Sequence, residues 1–184
     1  MKKILKFGSD KFELYLSEEL IQKRIKSLAQ NINRDYKGRV PIIIGILNGS
    51  FIFMSDLIRN IKIDCEVDFL KLSSYGDAKI SSGHVTLLKD LNATIGGRDI
   101  LVVEDIVDSG LSIDFIKRLI SLHNPKTFRI VSLLYKKQAL KIDVKIDYIG
   151  FSIPSYFVIG YGLDYEQKQR NLSAIYKLID DKKK

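Results

Sequence analysis

The chain has no tryptophan, one cysteine, two histidines, two methionines and three prolines in 184 residues. The lone cysteine, Cys65, excludes an internal disulfide and any cysteine-rich zinc site. It stands in an alternating apolar run and reads as inert core. His84 and His123 show neither metal-ligand spacing nor a partner motif. The three prolines and 12 glycines are too scattered to build a linker, and no repeat or low-complexity tract occurs, so residues 1–184 read as one domain. Apolar runs are all too short to span a bilayer, and Met1-Lys2-Lys3 leads into no signal-like apolar core; the expectation is a cytoplasmic protein with no membrane contact.

What is plentiful is positive charge: 30 basic against 22 acidic residues give a net charge of +8. Such a surplus suits a polyanionic partner, either a nucleic acid or a small anionic substrate. Lysines and arginines are scattered, with no basic cluster interleaved with aromatics, and the only pure run, Lys182 to Lys184, follows Asp180 and Asp181. That distribution disfavours nucleic-acid binding as the primary role. At 46% hydrophobic and 28% charged, the composition is that of a soluble globular domain with a substantial core.

Periodicity sets the elements. Ser17-Glu18-Glu19 opens a helix with Leu20, Ile21, Ile25, Leu28 and Ile32 on its apolar side, the serine as N-cap. Val40 to Leu47 reads as a buried strand, Phe51 to Asn60 as a helix, Ile63 to Leu72 as an alternating strand followed by a polar loop, and Val85 to Leu88 as a short strand. Phe128 to Leu134 and Tyr148 to Phe151 are further buried strands. Strands alternating with helices predict the α/β class, a mostly parallel central sheet flanked by helices.

The most informative stretch is Asp99-Ile-Leu-Val-Val-Glu-Asp-Ile-Val-Asp-Ser-Gly-Leu-Ser112. Ile100 to Val103 form an apolar strand buried on both faces, and Glu104, Asp105 and Asp108 are expected at its carboxyl end, where open α/β sheets bind ligands. Ser109 to Ser112 then lead into an amphipathic helix from Ile113, whose free N–H groups and macrodipole favour a phosphate. The carboxylates would repel that phosphate; their partners are sugar hydroxyls, a divalent metal or a proton to be abstracted. A phosphorylated ribose satisfies all of these. Taken singly, each acid equally suits capping and solvating the loop.

This pattern resembles the phosphoribosylpyrophosphate (PRPP) signature of type I phosphoribosyltransferases, and other segments resemble its hypoxanthine-guanine branch. Gly45-Ile-Leu-Asn-Gly-Ser-Phe51 is similar to the family's pyrophosphate loop, Leu72-Ser-Ser-Tyr-Gly76 to its mobile catalytic loop, and Gly150 to Tyr165 to its purine-binding segment. The resemblance implies that fold, with a small hood from the N-terminal segment and roughly residues 152–184. The implied reaction is purine salvage: transfer of the phosphoribosyl group from PRPP to hypoxanthine or guanine, giving IMP or GMP and pyrophosphate, with Mg2+ as cofactor. Xanthine remains open as a further substrate, and a homodimer or homotetramer is the family expectation.

By resemblance, Glu104 and Asp105 hold the ribose hydroxyls and, with Asp164, magnesium. Asp108 is the general base beside the purine, and Ser109, Gly110, Leu111 and Ser112 cradle the 5′-phosphate. Leu47, Asn48, Gly49 and Arg170 meet pyrophosphate, with a cis peptide expected at Leu47–Asn48. Lys136 donates to the purine 6-oxo group, with Lys137 as its rival; a base bearing an amine there would set donor against donor. Phe157 stacks on the base, the Val158 backbone pairs its edge, and Ser74 and Tyr75 belong to a catalytic lid that excludes water. Taken without the resemblance, Phe157 reads as core, Arg170 as half of a surface ion pair, and the lysines as solvated. Asn48 replaces the usual basic residue of the pyrophosphate loop, Ser109 and Ser112 replace commoner threonines, and Leu111 brings no charge to the phosphate. Two other readings stay in view: a regulator that keeps the PRPP fold and binds RNA or DNA, and a phosphotransfer domain using Glu104 and Asp105.

Overall fold

The core sheet has six strands in the order β5-β4-β3-β6-β7-β8: β3 Ile42–Leu47, β4 Glu66–Tyr75, β5 His84–Lys89, β6 Asp99–Val107, β7 Thr127–Tyr135 and β8 Tyr148–Ser152. A computed structural model supplies this architecture and describes residues 4–75 and 84–179. All neighbours pair in parallel except β4 and β5, as expected for an α/β sheet with one antiparallel edge. Helices α1 (Glu18–Asp35) and α2 (Phe51–Asn60) cover one face, and α3 (Leu111–Ser121) covers the other.

Sequence explains the helices. Ser17 accepts a bond from the Leu20 amide at 3.4 Å, and Glu18 and Glu19 complement the positive N-terminal end of α1. The helix buries Ile21, Ile25, Leu28, Ala29 and Ile32. Leu20, read as part of that stripe, is instead 45% exposed, because one residue's step of about 100° turns it off the face that Ile21 occupies. Val40 is likewise exposed, and β3 begins only at Ile42, since Pro41 has no N–H to give the sheet. Helix α2 has the predicted bounds; Met54 is core, whereas Phe51 is exposed.

Strand β4 runs from Glu66 to Tyr75, so it starts three residues later than Ile63, and Ser73 to Tyr75, read as loop, are strand. Their backbone pairs antiparallel with β5, Ser74 opposite Val85 and Tyr75 opposite His84. A partner strand supplied by the next segment outweighs the loop-like Ser-Ser composition. Residues 76–83, expected as a mobile lid, lie outside the described residues, as do the side chains of Ser74 and Tyr75 on which their expected roles depend.

Cys65 is partly buried against the core, and burial pushes its thiol above the ordinary value. Among the described residues no helix is long and apolar enough to cross a membrane. A second, four-stranded antiparallel sheet stands in the order β1-β2-β10-β9: β1 Ile4–Phe7, β2 Asp10–Leu16, β9 Val158–Ile159 and β10 Ile175–Leu178. Phe12, Ile159, Ala174 and Tyr176 form its own small core.

Candidate active site

Because β3, β6, β7 and β8 are parallel, their carboxyl ends share one edge of the sheet, and the loops that follow them are neighbours. This edge is where an open α/β sheet offers its ligand crevice.

The loop after β3 carries the expected cis peptide at Leu47–Asn48. Asn48 is exposed, and the buried Ser50 hydroxyl donates to the Ile46 carbonyl at 2.6 Å, tying the loop back before α2 starts. Gly49 lies directly over the Asp105 carboxylate, where any Cβ would collide with that side chain. A side chain at position 49 would therefore displace the Asp105 carboxylate.

Glu104 and Asp105 do not follow the end of β6, as the sequence suggested, but lie inside it, since the strand continues to Val107. The inward-outward alternation inverts around them. Ile100 and Val102 face α3 and Leu101 and Val103 face α1 and α2, yet Ile106 packs on the latter side and Val107 on the former. Strand β7 inverts in step, with Leu133 and Leu134 on one face and Tyr135 on the other, so pairing is retained. Both carboxylates are buried, at 9% and 7% exposure. Burial first, then the Asp105 charge, raise the Glu104 carboxyl well above the usual range. Burial also raises Asp105, opposed by a hydrogen bond from Glu104, the Ile106 amide and the Arg170 charge. Burial thus disfavours two full negative charges side by side, and one Glu104 oxygen, Oε2, is buried with no donor. A buried acceptor left unsatisfied is costly unless a hydroxyl or a cation arrives to meet it.

Beyond them, Lys136 donates from Nζ to Asp108 Oδ2 at 2.8 Å. Lys136 is buried, whereas Lys137, its rival in sequence, is exposed in a short 3-10 turn. Helix α3 starts at Leu111 rather than Ile113, with Gly110 as its cap in the left-handed region at φ 82°. Ser112 is therefore already in the first turn, whose N–H groups have no intrahelical acceptor. A cavity of about 90 Å³ opens between this turn and β6, lined by Glu104, Asp108, Ser109, Gly110 and Ser112 among others. Its size suits a phosphate, and of the first-turn amides that of Leu111 meets the Ser109 hydroxyl at 3.4 Å.

The chain leaves β8 beside Lys136: Ser152 pairs with Tyr135, and the Ile153 amide donates to the Tyr135 carbonyl at 2.9 Å. Four residues on, Phe157 is half exposed, its ring 6.3 Å from Phe12 and 6.2 Å from Tyr165, while Val158 is buried in β9. A half-exposed ring packed on other aromatics offers one free face for stacking. Asp164 and Arg170 are joined to each other at 2.8 Å, and Arg170 also donates to the Gly162 carbonyl at 2.8 Å. The arginine is an ion-pair partner, as its plain reading had it, but mostly buried and within electrostatic reach of Asp105.

The edge thus assembles Asn48, Gly49, Glu104, Asp105, Asp108, the Ser109–Ser112 turn, Lys136 and Arg170. Among the described residues no three metal-ligating side chains cluster. Two adjacent carboxylates with an unmet oxygen still fit a hard divalent cation that takes its remaining ligands from substrate and water. Sequence reasoning missed Tyr161 and Asp56, whose 2.5 Å hydrogen bond ties the segment after β9 to α2. The flanking glycines of Gly160-Tyr161-Gly162 were the available signal.

Known proteins resemble this chain in sequence and in fold. The profile of the phosphoribosyl transferase domain matches residues 13–166. The hypoxanthine-guanine phosphoribosyltransferase of Bacillus subtilis is 44% identical over 163 residues, covering 89% of this chain and 91% of that protein. The hypoxanthine phosphoribosyltransferase of Escherichia coli K12 is 43% identical over 169 residues, 91% and 95% of the two chains. A crystal structure of a hypoxanthine phosphoribosyltransferase from Staphylococcus aureus superposes with a TM-score of 0.86 at 40% identity, covering 91% of each chain. On sequence and fold, the chain belongs to the phosphoribosyl transferase family, in its hypoxanthine-guanine branch.

Proposed function

We propose that this protein salvages purines, transferring the 5-phosphoribosyl group of PRPP to hypoxanthine or guanine to give IMP or GMP and pyrophosphate. The observation that carries the reading is the buried Glu104–Asp105 pair, with one oxygen unmet, set between a phosphate-sized helix start and the Lys136–Asp108 pair.

In this reading Glu104 and Asp105 accept the ribose hydroxyls, and the turn from Ser109 to Ser112 takes the 5′-phosphate on its amides. Departure of pyrophosphate builds positive charge on the sugar, which the acidic pair tolerates. Asp108, exposed enough to meet the base, takes the purine proton as general base while the nitrogen attacks the sugar carbon. Lys136, fixed by Asp108, keeps further N–H donors for the 6-oxo group. Phe157 supplies the stacking face and Val158 the backbone for the base edge. Asn48 and Gly49 present the loop to pyrophosphate, and Arg170 adds a planar, multi-donor charge. Magnesium, held by Glu104, Asp105 and Asp164 together with substrate oxygens, would neutralise the departing pyrophosphate.

A cytoplasmic location, in keeping with the lone cysteine, and assembly into a homodimer or homotetramer, carried over from the family resemblance, belong to the same proposal. The test is a spectrophotometric screen of adenine, hypoxanthine, guanine and xanthine with PRPP, with and without magnesium. Turnover of hypoxanthine and guanine that stops on chelation is expected; turnover of adenine alone, or of none of the four, would refute the reading.

A further inference from the structure

The segment Gly160-Tyr161-Gly162 adopts three consecutive positive φ angles, 92°, 53° and 97°. For the two glycines that conformation is open, but for an L-residue such as Tyr161 it is unfavourable and has to be held by its surroundings. Its side chain provides the hold. The ring is 2% exposed, and the hydroxyl donates to Asp56 Oδ2 at 2.5 Å. Gln22 on α1 donates to the same carboxylate oxygen at 2.5 Å and lies 3.4 Å from the tyrosine oxygen. Three separate elements therefore meet at one carboxylate: α1, α2 and the segment after β9. Burial first, then Asp56, push the tyrosine hydroxyl above its ordinary value, so it stays a donor.

What this junction holds is specific. Helix α2, which carries Asp56, begins two residues after Gly49. Gly162 presses on the Gly49 carbonyl so closely that a Cβ at Gly162 would overlap it. The Gly162 amide donates to the Arg170 carbonyl at 2.9 Å, and the Gly162 carbonyl accepts from the Arg170 side chain at 2.8 Å. One glycine thus touches both parts of the site assigned above to pyrophosphate, and Tyr161 fixes that glycine. We propose that Tyr161, through its hydrogen bond to Asp56, is a positioning residue for the pyrophosphate half of the site, holding Gly162 on Gly49 and setting the Arg170 guanidinium beside the loop. The inference rests on the reading of the loop and Arg170 as pyrophosphate ligands.

The decisive variant is Tyr161→Phe, which removes one hydroxyl and leaves the ring in place. We expect KM for PRPP, and for pyrophosphate in the reverse reaction, to rise about tenfold, as befits loss of a charge-assisted hydrogen bond, while KM for hypoxanthine stays near wild type. Asp56→Asn, which keeps an oxygen to accept the hydroxyl, should stay within about threefold, and Asp56→Ala should match Tyr161→Phe without adding to it in the double variant. Should Tyr161→Phe not fold, Gln22→Leu reads the same junction from α1, with the same selective rise in KM for PRPP. Equal changes in all Michaelis constants, or an unchanged KM for PRPP in an otherwise active variant, would overturn the positioning role and leave the proposed function standing. A wild-type protein without PRPP-dependent turnover would instead overturn that function and this inference with it.

Discussion

Lys136 and Asp108 are joined at 2.8 Å across the ends of β7 and β6, and the lysine is nearly buried while half of the carboxylate faces solvent. The asymmetry suits two different tasks. A buried ammonium fixed by one partner is a directional donor, and an accessible carboxylate is free to meet a proton on an incoming ligand.

Asp108→Asn keeps the shape and removes the base. We expect kcat to fall by about 10²- to 10⁴-fold, the usual worth of a positioned acid–base group, with KM for PRPP nearly unchanged. Steady-state kinetics check this, and an undiminished kcat would remove Asp108 from its role.

Lys136→Met removes the donor proposed for the 6-oxo group. The expected loss in kcat/KM for hypoxanthine is about 10- to 100-fold, from a hydrogen bond to a charged group, with a smaller loss for adenine. Competition between the two bases measures the ratio directly; an unaltered preference would assign discrimination elsewhere.

Asp68, on β4 and 6% exposed, anchors the turn after β5 by accepting from the Asn92 amide at 2.6 Å and the Ala93 amide at 2.9 Å. Burial alone would raise its carboxyl, but the amides of Ala93, Phe69 and Asn92, with Lys89, outweigh it and hold the group below the usual range. The unfolded chain therefore takes up this proton more readily than the native one. Its stabilisation is complete above the unfolded value and drains away as pH falls through the lowered, folded one. Asp68→Asn should cost about 1–3 kcal/mol at pH 7, in a gap that narrows below about pH 4. Urea unfolding at both pH values decides it, and a gap of constant size would contradict the assignment.

Glu104→Gln should separate stability from activity. The raised wild-type carboxyl means that the unfolded state ionises first, so this group's contribution falls as pH rises from the ordinary carboxylate range toward the folded value. Glutamine has no such term. Relative to wild type the variant should gain about 1–2 kcal/mol at pH 8, less at pH 5, and lose affinity for PRPP. Thermal melts with and without PRPP provide both readings; a variant less stable at pH 8 than at pH 5 relative to wild type would contradict the assignment.

Local signals carried most of the fold. The Ser17 cap, the stripe of α1, the bounds of α2 and the phosphate turn after β6 are written in contiguous residues, and a helix start or a buried strand needs nothing more. What could not be read depends on a partner far along the chain. The Ser73–Tyr75 backbone is strand because β5 is there to pair with it. The inversion around Glu104 and Asp105 is hidden because Val-Val-Glu-Asp-Ile-Val is compatible with either phase until β7 supplies the matching shift. Lys136–Asp108 and Tyr161–Asp56 bridge 28 and 105 residues, and side-chain pairs at that range leave no periodicity. The acids of β6 and the turn after it were legible in the pattern itself, and the remaining candidate residues only through resemblance; their pairings needed coordinates.

The interleaving of the smaller sheet has a bearing on biosynthesis. Among the described residues, Val158 and Ile159 pair with β10 alone, which in turn is zipped to β2. During synthesis from the N-terminus, the segment carrying Phe157, proposed above for the nucleobase, gains this sheet framework only after residues 175–178 are made and meet residues 12–16. Closure of the smaller sheet therefore waits for β10, the last described strand of the chain.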